Sequence, residues 1–135
     1  MKKFVILGIL GLAAAGLAVA ATVQVPFYLD SGNTTDAGSA SIIPTSGTKA
    51  YIGVKNLTGS TITCTVQYFQ ADGTDQTPAA NTFTIGANAG LSWRPYASDP
   101  QEGAGAAVPN VGNASVLKVA GSATITTSAA AAGRL

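Results

Sequence analysis

Apolar and polar residues alternate along much of the chain in short runs. The clearest runs from Thr61 to Phe69, where Ile62, Cys64, Val66 and Tyr68 fall on one side and Thr61, Thr63, Thr65 and Gln67 on the other. A period of two marks a strand with one buried face. Lys49 to Asn56 sets Ala50, Ile52 and Val54 in phase, and Phe83 with Ile85, then Leu91 with Trp93, do the same within residues 81–87 and 90–95. In Thr22 to Leu29, Val23, Val25 and Phe27 share a phase, and Pro26 among them suits an edge strand or a bulge. Ser115 to Ala120 and Ala123 to Thr127 are expected to close a hairpin across Gly121-Ser122.

Turn chemistry separates these runs. Asp30 to Ser41 is rich in Gly, Ser, Asn and Thr, Leu57-Thr58-Gly59-Ser60 leads into the Thr61 run, and Ala71 to Asp75 carries the Asp-Gly dipeptide of a tight reversal. Residues 96–113 read as a long loop, and the tail SAAAAGRL as a frayed end or a short final strand. About seven short strands predict an all-β fold, a single β-sandwich domain over residues 22–135.

The amino terminus is organised differently. Lys2 and Lys3 precede an uncharged apolar run from Phe4 to Val19 that closes with Ala18-Val19-Ala20-Ala21. That is the layout of a secretory signal peptide over residues 1–21, with small residues at the exit for a peptidase. The competing expectation is a retained apolar anchor helix, against which Gly8, Gly11 and Gly16 weigh. The leader reading predicts export to the periplasm, cell surface or medium, with membrane contact only through this segment before cleavage.

The stretch YIGVKNLTGSTITCTVQYFQADGTD, followed by NTFTIGANAGLSW, resembles consecutive strands of immunoglobulin-like modules in secreted bacterial proteins. The resemblance covers about residues 49–95 and implies an immunoglobulin-like sandwich. A single cysteine, and a tryptophan placed after it, depart from antibody-type domains, so the resemblance implies no inter-sheet disulfide and no family function.

Composition and charge then exclude several functions. With the leader removed, five basic residues stand against six acids, a net charge near minus one, and no basic stripe exists to neutralise phosphates, so no nucleic-acid partner is expected. The chain has no histidine, which removes the usual general base and the commonest transition-metal ligand. One cysteine cannot form a CxxC site, and Cys64 shares its face with large apolar residues, which predicts a core position over an intermolecular disulfide or a reactive thiol. The glycines of GAGAAVPN lack the strand-to-helix setting of a phosphate loop. Asp72 with Asp75 and Asp99 with Glu102 are the close acid pairs, both in polar turns where a raised carboxyl pKa is not expected. Asp72 and Asp75 supply too few oxygens for calcium and read as an Asx-stabilised turn. No enzyme activity, metal or cofactor is expected.

One stretch stands apart: SWRPYASDPQEG, residues 92–103, concentrates aromatics, an arginine and two acids. Trp93, Arg94, Tyr96, Asp99 and Glu102 there form either a binding surface for a glycan or protein, or a core tryptophan with Arg94 pinning the loop to Asp99 or Glu102 and Arg94 and Tyr96 more exposed. Two functions follow. One is an exported structural or adhesive surface protein, a self-assembling homo-oligomer or filament subunit in which Val23, Val25 and Phe27 add as a strand to a neighbour. The other is a secreted module binding a carbohydrate or protein through the 92–103 loop.

Overall fold

The computed structural model describes residues 20–31, 47–112 and 119–127. Residues 1–19 of the signal-peptide or anchor segment, residues 32–41 of the loop, residues 115–118 of the expected hairpin and the tail lie outside the described residues.

The fold is all-β. Six strands are described: β1 (Thr22–Asp30), β2 (Ile52–Lys55), β3 (Ile62–Gln70), β4 (Thr82–Ile85), β5 (Gly90–Trp93) and β6 (Val119–Thr127). One antiparallel sheet has the order β1-β6-β3-β4, and β2 pairs with β5 in a second. The expected count was about seven.

The two-residue period of β3 is realised as read: Ile62, Cys64, Val66 and Tyr68 are buried, as are Phe83 and Ile85 on β4 and Ala123 and Ile125 on β6. Ile52 and Trp93 bring the second sheet to the same core. The Phe83 and Trp93 rings lie 5.6 Å apart, and the Trp93 indole Nε1 donates to the Tyr68 hydroxyl at 2.7 Å. That hydroxyl donates in turn to the Pro109 carbonyl at 2.7 Å, so the polar atoms of both large side chains are satisfied. Burying an aromatic of this size contributes about 1.5–3 kcal/mol, which makes this pair a main link between the sheets. Asn56, fully buried, brackets the β2–β3 turn: its Nδ2 donates to the carbonyls of Ser60 and Gly86, and its Oδ1 accepts from Thr58 N–H.

Three expectations are corrected. The hairpin across Gly121-Ser122 is absent, because both residues continue a single strand, β6, between β1 and β3. Gly121 serves close packing there: a Cβ would meet the Phe69 carbonyl and the Tyr28 ring. The loop after residue 96 contains a 3-10 segment, Pro100–Ala107, with Asp99 as its cap. The phase of β1 also breaks. Val25 pairs with Ala123 but Tyr28 with Gly121, so one extra residue is accommodated at Pro26–Phe27 as a bulge. Val23 and Val25 pack against the core, whereas Phe27 is 64% exposed and Tyr28 and Asp30 turn inward.

Cys64 is 1% exposed, and burial pushes its thiol pKa up. A thiol reagent should therefore modify it only as fast as the protein unfolds, and Cys64→Asp should cost several kcal/mol by burying an unpaired polar group. Rapid labelling of native protein, followed by mass spectrometry, would contradict the core placement.

Candidate functional site

β5 ends at Trp93, but burial continues through Arg94, Pro95 and Tyr96. Strand alternation predicts that Arg94 and Tyr96 face outward, and the structure corrects this: the chain bends at Pro95 and passes inside, while residues 108–112 close over it. Val111 N–H donates to the Pro95 carbonyl at 2.9 Å and Gly112 N–H to the Tyr96 carbonyl at 3.1 Å. Val108 is buried beneath.

A charged guanidinium buried this deeply needs partners. Arg94 finds Asp30 at the end of β1: its Nη2 donates to Oδ1 at 2.6 Å, and its Nε lies 3.2 and 3.1 Å from the two carboxylate oxygens. Arg94 Nη1 is 3.7 Å from Asp99 Oδ2, and Lys49 Nζ donates to that same oxygen at 2.9 Å. The four side chains alternate in sign, sum to zero and are almost wholly buried. They join the end of β1, the segment entering β2, the exit of β5 and the cap of the 3-10 segment. The expected pinning of the 92–103 loop by Arg94 is thus present, with Asp30 as the main partner and Asp99 as a weaker one. Glu102 contributes differently: its Oε1 accepts the Arg94 backbone N–H at 2.7 Å.

The environments push the two loop acids in opposite directions. Burial raises the Asp99 pKa, but the Lys49 ammonium, the Gln101 N–H and Arg94 outweigh it and hold the carboxyl below its ordinary value. At Glu102 burial dominates, and the Arg94 N–H only partly offsets it, so the carboxyl sits above its ordinary value. Burial likewise raises Tyr28, with help from the Asp30 charge, to about 12.

Of the five loop residues expected to form a binding surface, Trp93, Arg94, Tyr96 and Asp99 are therefore interior, and only Glu102 is half-exposed. Glu102 lines a cleft of about 200 Å³ with Tyr51, Ser92 and Gln101. The 3-10 segment can lie against β5 here because Gly105 has no Cβ to meet the Ser92 carbonyl. Burial, then the Asp99 charge, raises the hydroxyl pKa of Tyr51, 42% exposed, which sets the cleft wall beside the charge network. The volume lies below the roughly 300–1,000 Å³ of ordinary small-molecule sites.

The Asp72 and Asp75 carboxylates accept N–H groups of their own turns, from Thr74 at 2.9 Å and Thr77 at 2.8 Å, which lowers both pKa values. Their oxygens serve the turn, and no cluster of three metal-ligating side chains occurs among the described residues.

The other notable surface is the outer face of the four-stranded sheet. Thr22, Thr126, Thr65 and Thr82 stand in register across all four strands, and Gln24, Thr124 and Gln67 form the next row. Thr124 Oγ1 and Gln24 Oε1 are 3.0 Å apart. At one end Phe27, Leu29 (37% exposed) and Phe69 add apolar surface. Among the described residues of these strands the only charged side chain is Asp30, and it points inward. Sequence reading had already separated Thr61, Thr63, Thr65 and Gln67 as an outward set, but cross-strand register, which aligns the rows, is not visible in one sequence.

Comparison with family models, with curated proteins and with solved structures finds no match.

The opposed acids give a signed test. Asp99, lowered in the fold, contributes stability present above its ordinary pKa and lost as pH falls through the lowered value. Glu102, raised in the fold, favours folding below its ordinary pKa, and that contribution is lost as pH rises through the raised value. Glu102→Gln keeps an oxygen for the Arg94 N–H and removes the charge. It should melt at or above the parent temperature near pH 7 and lose that advantage near pH 4. A variant less stable at neutral pH but equal in acid would contradict the assignment.

Proposed function

We propose that the chain is an exported, non-enzymatic surface domain of structural or adhesive type that makes its contacts through the outer face of the four-stranded sheet. One observation carries the reading: among the described residues the four strands place no charged side chain on that face, and the one acid at its edge, Asp75 opposite Phe69, accepts the Thr77 N–H of its own turn. Sheet surfaces that only meet water gain solubility and protection from pairing through Lys and Glu. Contact surfaces are depleted in charge at their centres and enriched in aromatics, as this face is with Phe27 and Phe69.

Export rests on the leader pattern of residues 1–21. The immunoglobulin-like reading is supported by two antiparallel sheets sharing one core, with Trp93 buried between them. The absence of catalysis is supported by how the reactive groups are used: Cys64 is a core residue, and Asp30 and Asp99 are committed to Arg94 and Lys49. No cofactor enters this reading. Addition of β1 to a neighbour's sheet is the less favoured route to a homo-oligomer, because the Pro26–Phe27 bulge interrupts its run of pairing groups.

A second reading, recognition of a small ligand, is favoured by the cleft of Tyr51, Ser92, Gln101 and Glu102. It concerns the same 92–103 loop, but through its half-exposed rim.

Thr65→Lys separates the readings by placing a charge between Thr126 and Thr82. In cells producing the full chain, this variant should move from the envelope-bound or assembled fraction to soluble monomer, with its melting temperature within a few degrees of the parent. An unchanged distribution would contradict contact through this face.

A further inference from the structure

We propose that the outer face of the four-stranded sheet binds an uncharged, extended polysaccharide of the flat β-1,4-linked kind, with Phe27 and Phe69 stacking on sugar rings and the threonine and glutamine rows bonding its hydroxyls. This inference rests on the contact-face reading and names its partner.

Charge is the first argument. A polyanion requires Lys or Arg to neutralise it, and this face supplies neither among the described residues. A charged protein patch docked here would lose its hydration and find at most Asp75, at the Phe69 edge, to pair with. An uncharged partner avoids that cost, and one covered in hydroxyls can exchange its water for threonine hydroxyls and glutamine amides, which both donate and accept.

The aromatics are also spaced for such a partner. The bulge in β1 turns Phe27 outward when simple alternation would have buried it. Phe69 pairs with Ser122 on β6, and β6 lies between β3 and β1. The two phenylalanines are therefore about two strand spacings apart, roughly 9.5 Å, comparable to the length of a disaccharide. Ser122, on β6 between them, is small and leaves the gap open. The C–H faces of a pyranose ring are apolar, and stacking on exposed Phe27 and on the uncovered part of half-buried Phe69 removes both surfaces from water.

Scale separates this partner from a second copy of the chain. Three strands of nine residues and one of four, about 4.8 Å apart and rising about 3.4 Å per residue, present roughly 500 Å². Two such faces bury about 1,000 Å² in total, below the roughly 1,200 Å² of a stable protein pair. A long polysaccharide holds many copies of this chain at once, so individually weak contacts sum through effective concentration.

The test is co-sedimentation of the full chain with cellulose and with chitin, both insoluble and uncharged. Alginate beads serve as the anionic comparison, and self-sedimentation is measured in parallel. The parent should pellet with a neutral polysaccharide and not with alginate. Phe27→Ala should weaken this about tenfold, Thr65→Lys should abolish it, and Gln101→Ala, in the cleft, should leave it unchanged, all three remaining folded by circular dichroism. Folded parent that binds neither cellulose nor chitin overturns the polysaccharide assignment. If that protein self-sediments and Thr65→Lys disperses it, the contact-face reading stands with a second copy as partner. If neither binding nor self-sedimentation responds to Thr65→Lys, both readings fall. Glycan binding lost only in Gln101→Ala would place the site in the cleft and overturn the inference.

Discussion

The buried pairing of Arg94 with Asp30 is the constraint on which the rest of the structure depends. A guanidinium withdrawn from water is tolerated only beside a carboxylate of good geometry, and removing one partner of such a pair costs about 3–5 kcal/mol. A domain of this size has about 5–15 kcal/mol in all. Asp30 ends β1 in the four-stranded sheet, and Arg94 leaves β5 in the two-stranded one. The pair therefore spans both sheets, and Asp99 extends it to Lys49 and to the 3-10 segment. An apolar replacement of the same volume could stabilise the domain equally well. What the charges add is a specific link, in which the 92–103 loop brings Arg94 and Asp99 to Asp30 and Lys49.

That pairing depends on one extra residue in β1. Unbroken alternation from Val23 and Val25 would bury Phe27 and Leu29 and send Asp30 to solvent. The bulge at Pro26–Phe27 reverses this, delivering Asp30 to Arg94 and Phe27 to the outer face. A single local irregularity thus sets both the polar centre of the fold and the apolar end of its candidate contact surface. Pro26, with no N–H to contribute to a ladder, is suited to the place where the ladder is broken.

These dependencies explain how far the sequence could be read. β3 was legible in full, because Ile62 to Tyr68 obey a strict period with bulky residues on one side. The turn at Asp72-Gly73 was legible because its chemistry is local. Pro26 signals a bulge or an edge, but nothing local shows which way the phase resumes, so alternation alone groups Phe27 with Val23 and Val25. For Arg94 and Tyr96, alternation with Trp93 points outward, and for Arg94 its charge agrees. The burial that overrides both comes from Asp30, 64 residues away. Gly121-Ser122 imitated a two-residue turn, whereas the glycine is required by the close approach of Phe69 and Tyr28. Of the candidate site, the threonine alternation was visible, and its alignment across four strands came only from register.

The account is tested most directly by a double-mutant cycle on Asp30 and Arg94, with Asp30→Asn and Arg94→Met measured singly and together by equilibrium urea unfolding. Each single change is predicted to cost about 3 kcal/mol or more. The double variant should cost clearly less than their sum, giving a coupling above about 1 kcal/mol. Single costs under about 0.5 kcal/mol that simply add, as for exposed loop residues, would contradict it.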